Sequence, residues 1–478
     1  MTSSGSVRER STTGWCIRGL LAALMTATTW GCTPPRGASR VEPVRERATA
    51  TRTTPYAVDS ALHRIFAGPT LWPGFQPELT PVAIYDGRTT MLFRHPSPPS
   101  DFVALSSERG VYARPGRDPL MTANTNVVLG GKPTATVMLD TASTMSPNDW
   151  GALTTHEIFH VFQRARHPSW SGNEADYFTY PLGDTTALAL RRVETLALSR
   201  ALGATTRDSV RCWTRAALIA RADRFDRVGP AAAGYERGTE LNEGLATYVE
   251  RRAARRPITL AATDLPIEEV RQRSYGVGAA LAELLDRLHD GWRDSLERAP
   301  ASAHLTLDSL LAESVEPVRS AAEGCGPSSA ERARFSSGAV AEARSLGERR
   351  ARERASFVER PGWRLIVQGG EKPLFVQGFD PLNVSLVSPT EILHRRMVRL
   401  GNEAGWIELV GRPSLTEGRE GQHPLFAGVR RLTVGGSTGP VTVRDSAGTT
   451  LVDGEGIRGH FVLAKTDTAG QTVRIRLR

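Results

Sequence analysis

Residues Ser146–Arg166 read SPNDWGALTTHEIFHVFQRAR. Ser146 ahead of Pro147 and Asp149 marks a helix start: a capping hydroxyl, a proline where no intrahelical N–H bond is lost, and an acid beside the positive end of the macrodipole. The helix then carries His156, Glu157 and His160 in the spacing HExxH. Positions i and i+4 stack on one face, so both imidazoles can address one ion, and Glu157 can reach a water on it. That set suits hydrolysis by one zinc ion, which acidifies the water and polarises a carbonyl while the carboxylate moves the proton. The plainer reading is an apolar core helix, since Ile158, Phe159, Val161 and Phe162 flank the motif. Two enclosed histidines without partners are costly, however, and a metal satisfies both.

A third ligand has to come from elsewhere. In Tyr235–Arg252, YERGTELNEGLATYVERR, Glu236, Glu240 and Glu243 fall along one side of a predicted helix. Gly244 weakens that helix by about 1 kcal/mol relative to Ala, which close approach of another element would explain. A rival is Glu194, inside the apolar stripe Leu190, Val193, Ala197, Leu198 and Ala201. A carboxylate there needs a cation, either zinc or an arginine such as Arg191 or Arg192.

HEIFH followed by LNEGLATYVE resembles the gluzincin metallopeptidases, in particular the aminopeptidase N group, over the central third of the chain. The resemblance implies zinc held by His156, His160 and Glu243, Glu157 as general base, and Glu240 orienting a ligand histidine from behind. Ser274–Leu288, SYGVGAALAELLDRL, is similar to the tyrosine-bearing helix start of those enzymes, which implies that Tyr275 stabilises the oxyanion; a packing tyrosine is the alternative. The gap between His160 and Glu243 is much longer than in the aminopeptidase N pattern, and the Gly-Ala-Met-Glu-Asn segment that reads a free amino end is missing. Aminopeptidase specificity is therefore not implied.

Outward from this centre the chain changes character. Its 478 residues, 40% hydrophobic and 23% charged, suit two or three folded domains. The net charge of +9 comes almost wholly from scattered Arg, with Lys only at Lys132, Lys372 and Lys465, so no nucleic-acid surface is expected. Arg8, Arg10 and Arg18 precede an apolar run, Gly19–Gly31, that is too short to span a bilayer but fits a secretory signal of lipoprotein type ending at Cys32. Thr33–Pro55 then reads as a tether. Cys212 and Cys325 would be the remaining thiols after export, and spacing alone leaves their pairing open.

The expected fold class is α+β: signal 1–31, tether 32–55, a mixed α/β subdomain 56–140, a helical zincin-like region 141–357, and a β-sandwich or barrel over 361–478, where short alternating runs sit between Gly, Pro and Asp turns. The expected protein is an exported, lipid-anchored or secreted zinc peptidase acting on a peptide or protein. The reading from another class is a non-catalytic zinc-containing envelope lipoprotein that binds or assembles.

Overall fold

A computed structural model describes residues 53–106, 110–140, 143–261, 263–315, 325–380, 383–418, 422–446, 448–462 and 464–477. The expected signal, the expected lipidation site Cys32 and nearly all of the expected tether lie outside these residues. The fold is α+β, with mixed sheets, a helical central region and an all-β carboxy-terminal region. No helix among the described residues is long and apolar enough to cross a membrane.

The chain forms two compact units. One holds residues 81–143 and consists of a six-stranded sheet in the order β3-β4-β2-β1-β6-β5. Its strands are β1 (Val82–Tyr85), β2 (Thr89–Phe93), β3 (Val103–Ala104), β4 (Val111–Pro115), β5 (Thr125–Leu129) and β6 (Lys132–Met138). Only β1 and β6 run parallel. Gly130 and Gly131, both at positive φ, make the two-residue turn between β5 and β6, a geometry that suits the twist of paired strands. Ala83, Leu92, Phe102, Met121 and Leu129 form its core.

The second unit takes residues 56–80 together with everything from Thr144 onward, so helix α1 (Pro55–Phe66) and the turn after it belong here and not with the sheet that follows them in sequence. The cause is packing. A Cβ on Gly151 would lie 3.0 Å from the Ala61 Cβ, and the Trp72 and Phe75 rings meet Phe159 edge-on at 5.7 and 5.1 Å. Gly151 and Phe159 belong to α2 (Pro147–Arg166), which carries the HExxH motif. Its start has the predicted form: Ser146 Oγ accepts from the Asp149 N–H, and the Asp149 carboxylate accepts from the Ser146 N–H.

The helices after it are α3 (Glu174–Phe178), α4 (Thr185–Gly203), α5 (Arg207–Thr239), α6 (Leu245–Ala253), α7 (Val270–Leu288), α8 (Trp292–Arg298), α9 (Leu307–Ser314) and α10 (Ser329–Val358). Two irregularities matter. Gly229, at φ 84°, and Pro230 break α5 into two segments, and between α5 and α6 residues Glu240–Gly244 form a π turn instead of continuing the α ladder. Helix α7 begins at Val270, four residues before the expected Ser274, so Tyr275 sits in its second turn and not at its start. Cys212 of α5 is disulfide-bonded to Cys325, with the Cα atoms 5.8 Å apart.

From Trp363 the described chain is strand apart from one short helix, α11 (Pro424–Ala427): β7 (Trp363–Gln368), β8 (Phe375–Phe379), β9 (Val384–Ser388), β10 (Glu391–His394), β11 (Met397–Asn402), β12 (Gly405–Val410), β13 (Ser414–Glu417), β14 (Arg431–Ser437), β15 (Thr442–Ser446), β16 (Thr449–Gly454), β17 (Ile457–Val462), β18 (Lys465–Ala469) and β19 (Thr472–Arg476). They make two sheets, β18-β19-β7-β14-β13-β10-β9 and β15-β16-β17-β12-β11-β8. Alternate residues of both enter one apolar core, among them Leu365, Val367 and Leu432 from the first and Leu400, Ile407 and Phe461 from the second. Two sheets on a shared core make a sandwich, the first of the two architectures the alternation allows.

Candidate metal centre

The two histidines of α2 and the π turn meet inside the helical region. His156, His160 and Glu243 are buried, and one ligand atom from each lies within 4.8 Å of the others. Glu243 Oε2 is 3.2 Å from His160 Nε2 and 3.6 Å from His156 Nε2, and the two rings stand edge to face with centroids 4.7 Å apart.

The far nitrogens are held from behind. His156 Nδ1 is 3.1 Å from Glu250 Oε2, and His160 Nδ1 is 2.8 Å from Gln163 Oε1. Both partners accept, so each Nδ1 carries a hydrogen and each Nε2 is the nitrogen on the Glu243 side: without an ion it donates to that carboxylate, and an ion would take its lone pair instead. Burial alone would raise the Glu243 pKa, but His160, the hydrogen bonds to both imidazoles and the Arg271 charge hold it well below the usual carboxylate range. Three lone-pair donors thus converge on one enclosed point, an arrangement that fits a metal ion.

Glu243 has a second neighbour that spacing did not suggest. Its Oε1 accepts from Arg271 Nη2 at 2.9 Å, while Arg271 also pairs with Glu174 of α3 and donates from Nε to the Tyr275 hydroxyl at 3.3 Å. Tyr275 is therefore linked to the centre through Arg271. Glu157 is buried on α2 beside His156, and the charges of Glu157 and Glu243 both act on the Arg164 guanidinium.

The glycine at Gly244 has the predicted cause. A Cβ there would lie 2.6 Å from the Gly278 Cα, and one on Gly278 would lie 2.7 Å from the Gly244 Cα. Only two glycines let α7 approach the π turn this closely, and that approach brings Arg271 and Tyr275 toward Glu243.

The other candidate carboxylates sit elsewhere. Glu240, expected behind a ligand histidine, instead pairs with Arg221, and burial raises its pKa to about 7 against that charge. Glu250 and Gln163 stand where Glu240 was expected. Glu194 is not among the clustered ligands: it accepts from Arg221 Nη1 and Arg224 Nε, both at 2.9 Å, and pairs with Arg273 at 3.2 Å. Its cations come from α5 and α7 and not from the adjacent Arg191 or Arg192, which bond Asp264 and Glu342. Glu236 joins the same network through Arg224 and Arg273. His167, outside the cluster, bonds Glu297 at 2.8 Å and stacks on Trp170.

Gln163 was legible in principle, since i+3 from His160 shares its face. Glu250 was legible in the same sense, at i+7 from Glu243, whereas Arg271 carried no comparable signal, because it reaches the centre through long-range packing of α7. Comparison with known proteins gives no match for this chain among family models, curated proteins or solved structures, so the candidate centre stands on its own geometry and the motif residues.

Proposed function

We propose that the protein is a zinc-dependent hydrolase of gluzincin type that cleaves peptide bonds. The observation that carries this reading is Glu157 lying beside a buried His156–His160–Glu243 cluster whose histidines are both held at Nδ1. The donor set suits zinc: four ligands at about 2.0–2.1 Å in a tetrahedron stand about 3.3 Å from one another, and the two measured separations from Glu243 are 3.2 and 3.6 Å. With three protein ligands and Glu243 Oε1 engaged by Arg271, the set supports an open, catalytic centre over a closed structural one.

Bound zinc supplies a water of pKa near 7 and a Lewis acid for the scissile carbonyl. Glu157 takes the proton from the attacking water and returns it to the leaving amine. Tyr275 donates its hydroxyl hydrogen toward the developing oxyanion, and the hydrogen bond it accepts from Arg271 strengthens it as a donor. Glu250 and Gln163 keep both imidazoles in the tautomer that faces the ion.

Export is part of the proposal. It rests on the basic and apolar run before Cys32, and the Cys212–Cys325 disulfide favours an oxidising compartment. Lipid attachment at Cys32 would tether the enzyme to a membrane surface.

The test is zinc content by mass spectrometry and cleavage of a mixed peptide library, with wild type beside Glu157→Gln. Wild type should hold one zinc and cleave; the variant should hold zinc and lose roughly 10²–10⁴-fold in turnover. A wild type without zinc, or a variant that cleaves equally well, overturns the reading. Zinc without cleavage of any peptide would turn it toward a binding module.

A further inference from the structure

Gln163 is 1% exposed and touches both halves of the metal centre. Its Nε2 donates to the backbone oxygens of Leu241 and Asn242, each at 2.9 Å, and its Oε1 lies 2.8 Å from His160 Nδ1. These contacts determine each other. Two carbonyls can only accept, so they fix which end of the carboxamide is the NH₂ group. The oxygen is thereby turned to His160, and an amide oxygen also only accepts. His160 must then carry a hydrogen on Nδ1, which leaves Nε2, 3.2 Å from Glu243 Oε2, as the nitrogen available to an ion.

Leu241 and Asn242 belong to the π turn Glu240–Gly244. A π turn moves its backbone ladder from i+4 to i+5 partners and is held in place only where the surroundings favour it. Gln163 supplies two hydrogens at that point, directly before Glu243. Arg221 grips the same turn through Glu240 on another side.

We propose that Gln163 is a positioning residue that couples the two ligand-bearing elements: one carboxamide sets which nitrogen of His160 faces the ion and fixes the π turn that presents Glu243. The metal-binding half of this inference rests on the zinc reading above; the tautomer half does not. Two substitutions separate the roles. Gln163→Met keeps the length and removes both contacts, whereas Gln163→Glu keeps an acceptor for His160 and places no hydrogens on the two carbonyls.

The test uses the full chain with two readouts. The first is the ¹⁵N imidazole spectrum of metal-free protein, read for a hydrogen on His160 Nδ1. The second is zinc affinity by competition with a chromophoric chelator. Wild type should show His160 with its hydrogen on Nδ1. Gln163→Met should show a mixture of tautomers and bind zinc ~10–100-fold more weakly. Gln163→Glu should keep the Nδ1–H form and still bind zinc more weakly, through the loosened π turn.

A Gln163→Met protein with the wild-type tautomer and wild-type zinc affinity overturns the proposal. If that variant does not fold, Gln163→Glu decides: unchanged zinc affinity there shows that the π turn does not depend on Gln163, and loss of the Nδ1–H form shows that the carboxamide does not act as described. If wild type binds no zinc, the hydrolase reading fails, and the tautomers of wild type and variants still settle what Gln163 does.

Discussion

Between residues 185 and 315 four arginines, Arg191, Arg221, Arg224 and Arg273, are almost wholly enclosed together with Glu194, Glu236, Glu240, Glu243 and Asp308, whereas the described residues of 363–477 enclose no Arg, Lys, Asp or Glu at all. The sandwich buries only neutral polar groups: His394, Ser414, Thr416, Ser437 and Thr450. Enclosing an ion costs several kcal/mol that its partner only partly offsets, so charge is a poor means of making a core stable. It is a good means of making one arrangement better than its neighbours. Arg221 touches Glu194 on α4, Glu240 in the π turn and Asp308 on α9, and a slip of any of these elements would strand a carboxylate. The sandwich has no comparable demand. Its apolar core asks for volume and alternation, and tolerates small shifts.

The contrast can be broken by experiment. The largest effect should come from Arg221→Met, which leaves three carboxylates short of a cation and should lower stability by ~3–5 kcal/mol in urea unfolding. A neutral or stabilising result would mean that the charges do not hold the helices in register. Next, Ile407→Ala in the sandwich core should cost ~2–5 kcal/mol through lost burial and a residual cavity, with zinc content unchanged. Glu250→Gln should weaken zinc by ~10–100-fold in chelator competition. Its side chain is 27% exposed, so unfolding should move by no more than about 0.5 kcal/mol.

The effects of pH, at most about 1.4 kcal/mol per pH unit for one proton, differ in sign between the regions. Burial lowers the His394 pKa to about 3. On acidification the unfolded chain takes that proton first, so stability falls from about pH 6.5 toward pH 3. Glu240 goes the other way: its pKa is raised to about 7, the folded state keeps a proton that the unfolded chain has released, and stability falls as pH rises from about 4.5 through 7. Urea midpoints across this range for His394→Leu and Glu240→Gln should each lose one of the two slopes. A Glu240→Gln profile identical to wild type would remove Glu240 from the account.

The same contrast explains what could be read from the sequence. The capped α2 helix, the HExxH face, the Gly244 approach and the alternating strands beyond Pro361 are local patterns, each with a local cause. The order of strands in the two sheets is not local, and neither are the partners of Glu194, which sits in an apolar stripe that indicates a cation without indicating which one. Glu250 was open to the same local reading, since it lies seven residues after Glu243 and shares its face by ordinary helical counting. Arg271 was not: the early start of α7 at Val270 put it on a helix and within reach of Glu243.

The Cys212–Cys325 bond closes a ring of chain with a sequence separation of 113. Glu243, Glu250, Arg271 and Tyr275 all lie on that ring, while His156, Glu157, His160 and Gln163 lie outside it. A single proteolytic cut within the ring leaves both pieces covalently joined until a reductant is added. A cut between His167 and Cys212 parts the imidazoles from their carboxylate at once, and there a bound ion would be a second clasp between the two pieces, one that a chelator opens and a reductant does not.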